Sequence, residues 1–400
     1  MNSSAYITAL RRGAAAVAIV ISFALAQAAR AESAAPINLI KRDTAGHGAL
    51  YQFQGKTILI VSGTPEQMGA AHGRLLAEKI RKLTERVVYM VGAADSVESG
   101  VWFFDRMAEI ERRAGPHIPP RFVAECDALS KAAGVSQRDG RYANLFPERF
   151  HCSGVAVRGK ATADGRVIHA RVLDYMRDIN LQQSATVTVF LPDGHHAWMS
   201  LGYAGFVGTV TAMNEKGLAI GEMGGRGEGD WDGMPMSLLL RDIMERAATV
   251  EEGLEILRNT PRTCEYYYVL SDKSRNIAGV QATAREMVVL EPGAQHERLP
   301  HVPEDTVLIS GPGRAEALSE RLQQHYGKID VPTMIEIIKR PVAMESNLHD
   351  AVMLAETLDM WVADAGKHTV ACDEPYVHLN LAELIRLYRQ TDAEPLAAGQ

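Results

Sequence analysis

Cys152 stands inside the run "RFHCSGVAVRGKATADGRVIHARVLDYM", Arg149 to Met176, after a polar, turn-like stretch and just before a hairpin pattern. A cysteine there can be a buried filler, half of a disulfide or a nucleophile. At an arbitrary position the small buried hydrophobe is the commonest of the three. The position favours chemistry, because "PERFH" precedes Cys152 at the junction between a helical front part and the first hairpin. Cutting the His151–Cys152 bond would make Cys152 the first residue of a new chain. Its α-amine, with an ordinary pKa of about 7.7–8.0, would then be a general base beside the thiol. The same thiol can attack the carbonyl of His151, giving a thioester that water opens. One nucleophile would serve both maturation and turnover.

Other polar clusters carry weaker chemistry. His195-His196 follows a Pro-Asp-Gly turn without a third ligand at metal spacing. "GGRGEGDWDG" lacks phosphate-loop spacing, so a loop rimming a pocket is expected, with Trp231 closing over an acyl chain. Calcium held by Glu228, Asp230 and Asp232 is the lesser alternative there. The reaction calls for no cofactor and no metal.

The 400 residues are 46% hydrophobic and 23% charged, ordinary for a globular protein with ample core. The net charge of -7, with no basic block interleaved with aromatics, argues against nucleic acid as a partner. Arg11 and Arg12 precede "AAAVAIVISFALAQA" and the small-residue exit "ARA". That is the three-part pattern of a secretory signal peptide over residues 1–31, so the mature protein is expected to be secreted or periplasmic. The apolar run is shorter than the roughly 20 residues a spanning helix needs, and no membrane span is expected once the signal is removed. Export permits disulfides among Cys126, Cys152, Cys264 and Cys372, and no C-x-x-C pair occurs. A free thiol at Cys152 leaves the pairing of Cys126, Cys264 and Cys372 open.

The elements that must position Cys152 follow from periodicity. "KTILIV" reads as a strand, and Thr64-Pro65-Glu66-Gln67 as a capped helix start. Helical spacing then runs from Met68 to Val87, with further helices over 101–113 and 120–133, so the front part is expected to be mainly helical. From Cys152 the period becomes two. Hairpins are expected about Asp164-Gly165, Asp193-Gly194 and "NEKG", followed by the helices "MPMSLLLRDIMERA" and "TVEEGLEILRNT". "EYYYVLSDKSRNIAGVQAT" is another hairpin, and late strands and a closing helix end the chain. Consecutive hairpins mean antiparallel sheet, and the whole predicts a layered α+β sandwich with helices on the outer faces.

The segment "HCSGVAVRGKATADGRVIHARVLDY" resembles the nucleophile segment of the acyl-coenzyme A:6-aminopenicillanic acid acyltransferase family. These are self-cleaving N-terminal-nucleophile hydrolases related to penicillin V acylase and bile salt hydrolase. "SGTPEQMGAAHGRLLAEKI", "AMNEKGLAIGEM", "GMPMSLLLRDIMERAATVEEGLEIL" and "SNLHDAVMLAETLDMWVADAG" extend the likeness in order over nearly all of the chain. The resemblance implies an αββα sandwich of two antiparallel sheets, a helical pro-segment over 32–151 and a hydrolase domain over 152–400. It implies Cys152 as nucleophile, Asp174 as the acid that orients the new α-amine, and Arg171 as the charge that favours thiolate. Three residues apart on a strand means opposite faces, so Arg171 and Asp174 both reach the thiol only where the strand end is irregular.

The chain departs from the family where asparagines are expected to form the oxyanion hole: Glu222, Met223 and Gly224 occupy one region, Tyr266 and Tyr267 the other. Backbone amides can serve instead. Asn214 is a further candidate, with turn formation as its alternative. Glu222 is read as contacting a polar part of the substrate or as a solvated strand residue, Tyr267 as a substrate contact, and Arg314 as an assisting arginine. The implied activity is hydrolysis or acyl transfer on an N-acyl small molecule, with the pro-segment staying bound as a heterodimer. A cysteine dipeptidase, and a periplasmic binding protein that kept the fold unprocessed, are the alternatives.

Overall fold

The structure is a computed structural model that describes residues 36–145, 151–225 and 229–393. The expected signal peptide, the stretch 146–150 ahead of His151, and Glu228 lie outside the described residues. Ten strands form one sheet, in the order β1 (Asn38–Arg42), β2 (Gly48–Phe53), β3 (Lys56–Gly63), β6 (Ala185–Pro192), β7 (Trp198–Tyr203), β8 (Thr211–Asn214), β9 (Leu218–Gly224), β10 (Tyr266–Asp272), β11 (Ile277–Ala282) and β12 (Met287–Leu290). Six form the other: β13 (Thr306–Ile309), β4 (His151–Val157), β5 (Ile168–Asp174), β14 (Asn347–Leu354), β15 (Asp359–Asp364) and β16 (Val377–Asn380).

The expected hairpins are present, β4–β5, β6–β7, β8–β9 and β10–β11, each closed through a left-handed residue: Gly165, Gly194, Gly217 and Arg275. Thr64 caps α1 (Pro65–Leu75) with a full capping box, so the start signal works as read. The long helical period beyond it breaks at Leu76 into α1 and α2 (Ala77–Glu85), then passes through a π-helical turn at Arg86–Val91 into α3 (Gly92–Ser99). The front part continues through α4 (Phe103–Ala114), α5 (Pro120–Ala133) and α6 (Gln137–Leu145). Later come α7 (Met236–Arg246) and α8 (Val250–Asn259) on the outer face of the large sheet. The helices α9 (Arg314–Gln324) and α10 (Val331–Ile338) cover the small sheet, and α11 (Leu381–Ala393) closes the chain. The layering is the αββα sandwich that the resemblance implied.

The front part is mainly helical, as expected, but it is not helical throughout. It supplies β2 and β3 to the large sheet, and β3 joins β6 in parallel register from Ile58↔Val187 to Gly63↔Pro192. That is the one parallel ladder from β2 to β12; the rest are antiparallel. A boundary at residue 151 therefore falls inside one compact unit, residues 39–400, rather than between two.

A buried ion cluster ties the two sides of that boundary. Arg241 on α7 donates to both Glu125 oxygens on α5 at 2.5 and 3.0 Å, to Glu245 at 2.7 Å and to the Val207 carbonyl at 2.7 Å. Its guanidinium also lies over the ring of Phe122, 4.7 Å from the centroid. Arg121 adds bonds to Asp242 and Glu245. Satisfied on every side, the pair fixes α5 against α7; losing one partner strands a buried charge. Glu125→Gln should cost about 3–5 kcal/mol in denaturant unfolding. A loss no larger than that of a surface pair, about 0–1 kcal/mol, would show that the cluster does not hold these helices together.

Candidate active site

Cys152 is the second residue of β4, and Asp174 ends β5. The register pairs His151 with Asp174 and Cys152 with Leu173. Alternation along β4 turns Cys152 and Gly154 inward, toward the large sheet, and Ser153 and Val155 outward, toward α9 and α10. The packing agrees: Cys152 and Leu173 belong to the inter-sheet core, Val155 and Val172 to the outer one.

Arg171, fully buried on the inward face of β5, reaches the sulfur from Nη2 at 3.4 Å. Its other bonds go to the Glu222 carbonyl from Nε and Nη2 (3.1 and 3.0 Å), to Glu222 Oε2 (3.5 Å) and to His349 Nε2 (3.1 Å). Gly221 makes this approach possible, since a Cβ there would lie 2.7 Å from Arg171 Cγ. Gly154 does the same for the wall of the site, where a Cβ would lie 2.6 Å from Met223 Sδ.

Asp174 faces outward, so the two charged residues do lie on opposite faces of β5. β5 keeps a regular register against β4, so the irregular strand end that would bring both side chains to the thiol is absent; the register shift lies in the neighbouring strand β14, between Asn347, paired with Asp174, and His349, paired with Leu173. Asp174 reaches the cysteine through Arg314, the first residue of α9. Arg314 Nη1 donates to Asp174 Oδ2 at 2.7 Å and Nη2 to the Cys152 carbonyl at 3.2 Å. The second carboxylate oxygen accepts the Met344 N–H at 2.9 Å.

Burial sets the electrostatics. It pushes the Cys152 thiol up to about 12, against the opposing pull of Arg171 and with Glu222 and Asp174 adding to the rise. In the uncut chain the sulfur therefore carries its proton at neutral pH. Burial also pushes Asp174 up to about 6, while the Met344 N–H, Arg314 and Arg171 hold it down. The same cause pushes Glu222 up to about 8 against Arg171.

Cys152 lines a cavity of about 520 Å³ whose wall includes Met223, Gly224, Gly225, Ile309, Gly311 and Arg314. The polar residues Glu265, Tyr267, Gln281 and Arg298 line it too. Tyr267 donates to Glu265 at 2.6 Å, Gln281 Nε2 to the same oxygen at 3.1 Å, and Arg298 to Gln281 at 3.0 Å.

Of the residues singled out from sequence, Cys152, Arg171, Glu222, Asp174 and Arg314 come together, and Tyr267 lines the same cavity. Asn214 does not join them. Its amide nitrogen donates to the Met244 and Ala247 carbonyls and its oxygen accepts the Lys216 and Leu218 N–H groups, the turn-forming alternative. Glu222 is neither solvated nor in the cavity; it is fully buried beside Arg171, and its Oε1 has no partner among the described residues. Trp231 is largely buried in the core rather than poised as a flap, and Asp232 pairs with Arg113 rather than facing a cation. All four cysteines are buried and no disulfide joins any of them, so Cys126, Cys264 and Cys372 are unbridged. Sequence reasoning passed over His349. Its signal was a histidine at the inward parity of the apolar strand "NLHDAVML", shared with Ala351 and Met353.

Cys152 thus stands at the head of a strand beside a cavity, between two mostly antiparallel sheets under helical layers. Residues 162–302 match the acyl-coenzyme A:6-aminopenicillanic acid acyl-transferase family, a span that holds Arg171, Asp174, Glu222 and Tyr267 but begins after Cys152. The protein dcd1A of Dictyostelium discoideum is 26% identical over 72% of this chain and 75% of its own length. The N-acylethanolamine-hydrolyzing acid amidase of Rattus norvegicus is 22% identical over 43% of this chain, which spans half of that relative. A solved Caenorhabditis elegans ortholog of that amidase superposes with a TM-score of 0.42 at 17% identity, over 51% of this chain and 93% of its own.

Glu222 yields a pH test. A raised carboxyl pKa means that the folded state keeps a proton the unfolded chain releases above about 4.5, so its stabilising effect is full below that pH and fades as pH rises to about 8. Glu222→Gln should flatten the fall in melting temperature across that window relative to wild type. Parallel profiles for the two proteins would contradict the assignment.

Proposed function

We propose that this chain is an exported, self-cleaving cysteine amidohydrolase or acyltransferase that acts on an N-acyl small molecule. The observation that carries this reading is the Cys152 sulfur, at the head of β4 on the wall of a cavity, with the Arg171 guanidinium at 3.4 Å. Maturation begins when that sulfur attacks the His151 carbonyl carbon. The C–S bond forms, the peptide C–N bond breaks, and the nitrogen leaves as the α-amine of Cys152. Water then opens the thioester.

The new amine supplies what burial denies the uncut chain. As an ammonium it stabilises thiolate, and as an amine it accepts the thiol proton. Asp174 is the carboxylate that this reading assigns to hold it, supported by its pairing with position 151 in the ladder and its anchoring through Arg314. In turnover the thiolate attacks the substrate carbonyl, and backbone N–H groups along Gly224, Gly225 and Gly311 are the candidate donors to the oxyanion. The α-ammonium then gives its proton to the departing nitrogen, and water, or a second amine, releases the acyl group from sulfur. Met223 and Ile309 offer an apolar surface to an acyl chain, and the Tyr267–Glu265–Gln281–Arg298 cluster offers hydrogen bonds to a polar group. The shared sheet and the Arg241 cluster favour a cut pro-segment that stays bound.

Denaturing electrophoresis of wild type should show two fragments divided at His151–Cys152, and Cys152→Ala should remain one chain. A Cys152→Ala protein cut like wild type would overturn the reading.

A further inference from the structure

The Arg171 guanidinium has one carboxylate near it, at 3.5 Å, which is little for a fully buried cation. A neutral group completes its shell. His349, on β14 at the end of the register shift, meets Arg171 Nη1 through Nε2 at 3.1 Å, on the side away from the Nη2 that faces Cys152. Because a guanidinium only donates, Nε2 must be the unprotonated nitrogen. The ring proton therefore sits on Nδ1, which donates to the Tyr203 hydroxyl at 3.0 Å. Thr211 Oγ1 lies 3.0 Å from Nε2 and fixes the ring from the other sheet.

The surroundings keep this imidazole neutral. Burial, the Arg171 charge and the Lys56 charge all hold it well below the ordinary histidine range. Lys56 is itself paired with Asp364 at 2.7 Å, and Glu222 stands on the far side of Arg171.

We propose that His349 is a positioning residue: a permanently neutral acceptor that fixes the Arg171 guanidinium with Nη2 aimed at the Cys152 sulfur, without cancelling the charge that favours thiolate. The inference rests on Cys152 being the nucleophile. An aspartate at 349 would set an anion directly against Arg171 and spend its field on an ion pair. A general-base role is excluded by geometry, because Arg171 stands between the ring and the sulfur and already occupies Nε2. The alternative is a histidine that merely fills the core.

The test is alkylation of Cys152 by iodoacetamide near neutral pH, followed by peptide mass spectrometry on full-length protein and compared only between samples with the same state of the 151–152 bond. His349→Leu should slow alkylation about tenfold, as expected when a nearby opposite charge is misplaced. His349→Gln, which keeps an acceptor, should recover most of the rate. His349→Asp should be at least as slow as the leucine variant. If His349→Leu does not fold, Tyr203→Phe, which loosens the ring, should slow alkylation in the same direction by less. Falling melting temperature with unchanged alkylation in every variant would overturn the proposal in favour of core filling. Arg171→Met separates the two levels. If it slows alkylation while the His349 variants do not, the positioning role fails alone; if it leaves alkylation unchanged, the charge role of Arg171 fails and takes this proposal with it.

Discussion

A guanidinium buried between two sheets is the constraint on which the site depends. Desolvating a cation costs several kcal/mol unless its donors are met, and Arg171 meets them with a carbonyl, one carboxylate, an imidazole and a sulfur. Each of those partners constrains another part of the chain. Gly221 must lack a side chain so that the arginine stem can lie against β9. The β14 register shift brings His349 opposite Leu173, and Leu173 is the ladder partner of Cys152. Glu222 lies 3.5 Å from the arginine, too long for a tight pair, and burial favours its neutral form, which leaves net positive potential beside the sulfur.

The outward face is organised separately. Asp174, Arg314 and the Cys152 carbonyl form a chain of charge-assisted bonds that reaches the backbone of the cysteine rather than its thiol. Sulfur and carbonyl of one residue are thus met from opposite faces of β5. This division lets one strand end carry two charged residues three positions apart, a spacing that on a regular strand sends one of them away from the thiol.

Much of this was legible because local signals and tertiary structure agree. The Asp-Gly hairpins, the Thr64 capping box and the change of period at Cys152 all follow from backbone preferences that the fold does not override. In the front part β2, "GALYQF", went unread because α1, α5 and their neighbours dominate the periodicity there, while β2 is short and reaches the rest of the sheet only through β3. Asn214 kept two readings because an asparagine opening a turn and one pointing at a substrate look alike in sequence; the four backbone bonds it makes decide for the turn. Alternation gives the inward parity of Glu222 and His349 but not their partner, since the role of a polar residue at an inward position is recognisable only once a buried arginine stands opposite. Arg314 lies 140 residues from Asp174, and nothing local in "SGPGRAEAL" points to it.

The central claim is that one residue supplies both the sulfur that carries the acyl group and the amine that moves the proton. Acid quenching of the protein during turnover of an N-acyl substrate, followed by mass spectrometry of the large fragment, tests it most directly. If the claim holds, that fragment begins at Cys152 and carries the acyl mass on that residue, removable by hydroxylamine as a thioester should be. An acyl mass on any other residue, or active protein in which Cys152 never heads a chain, would contradict it.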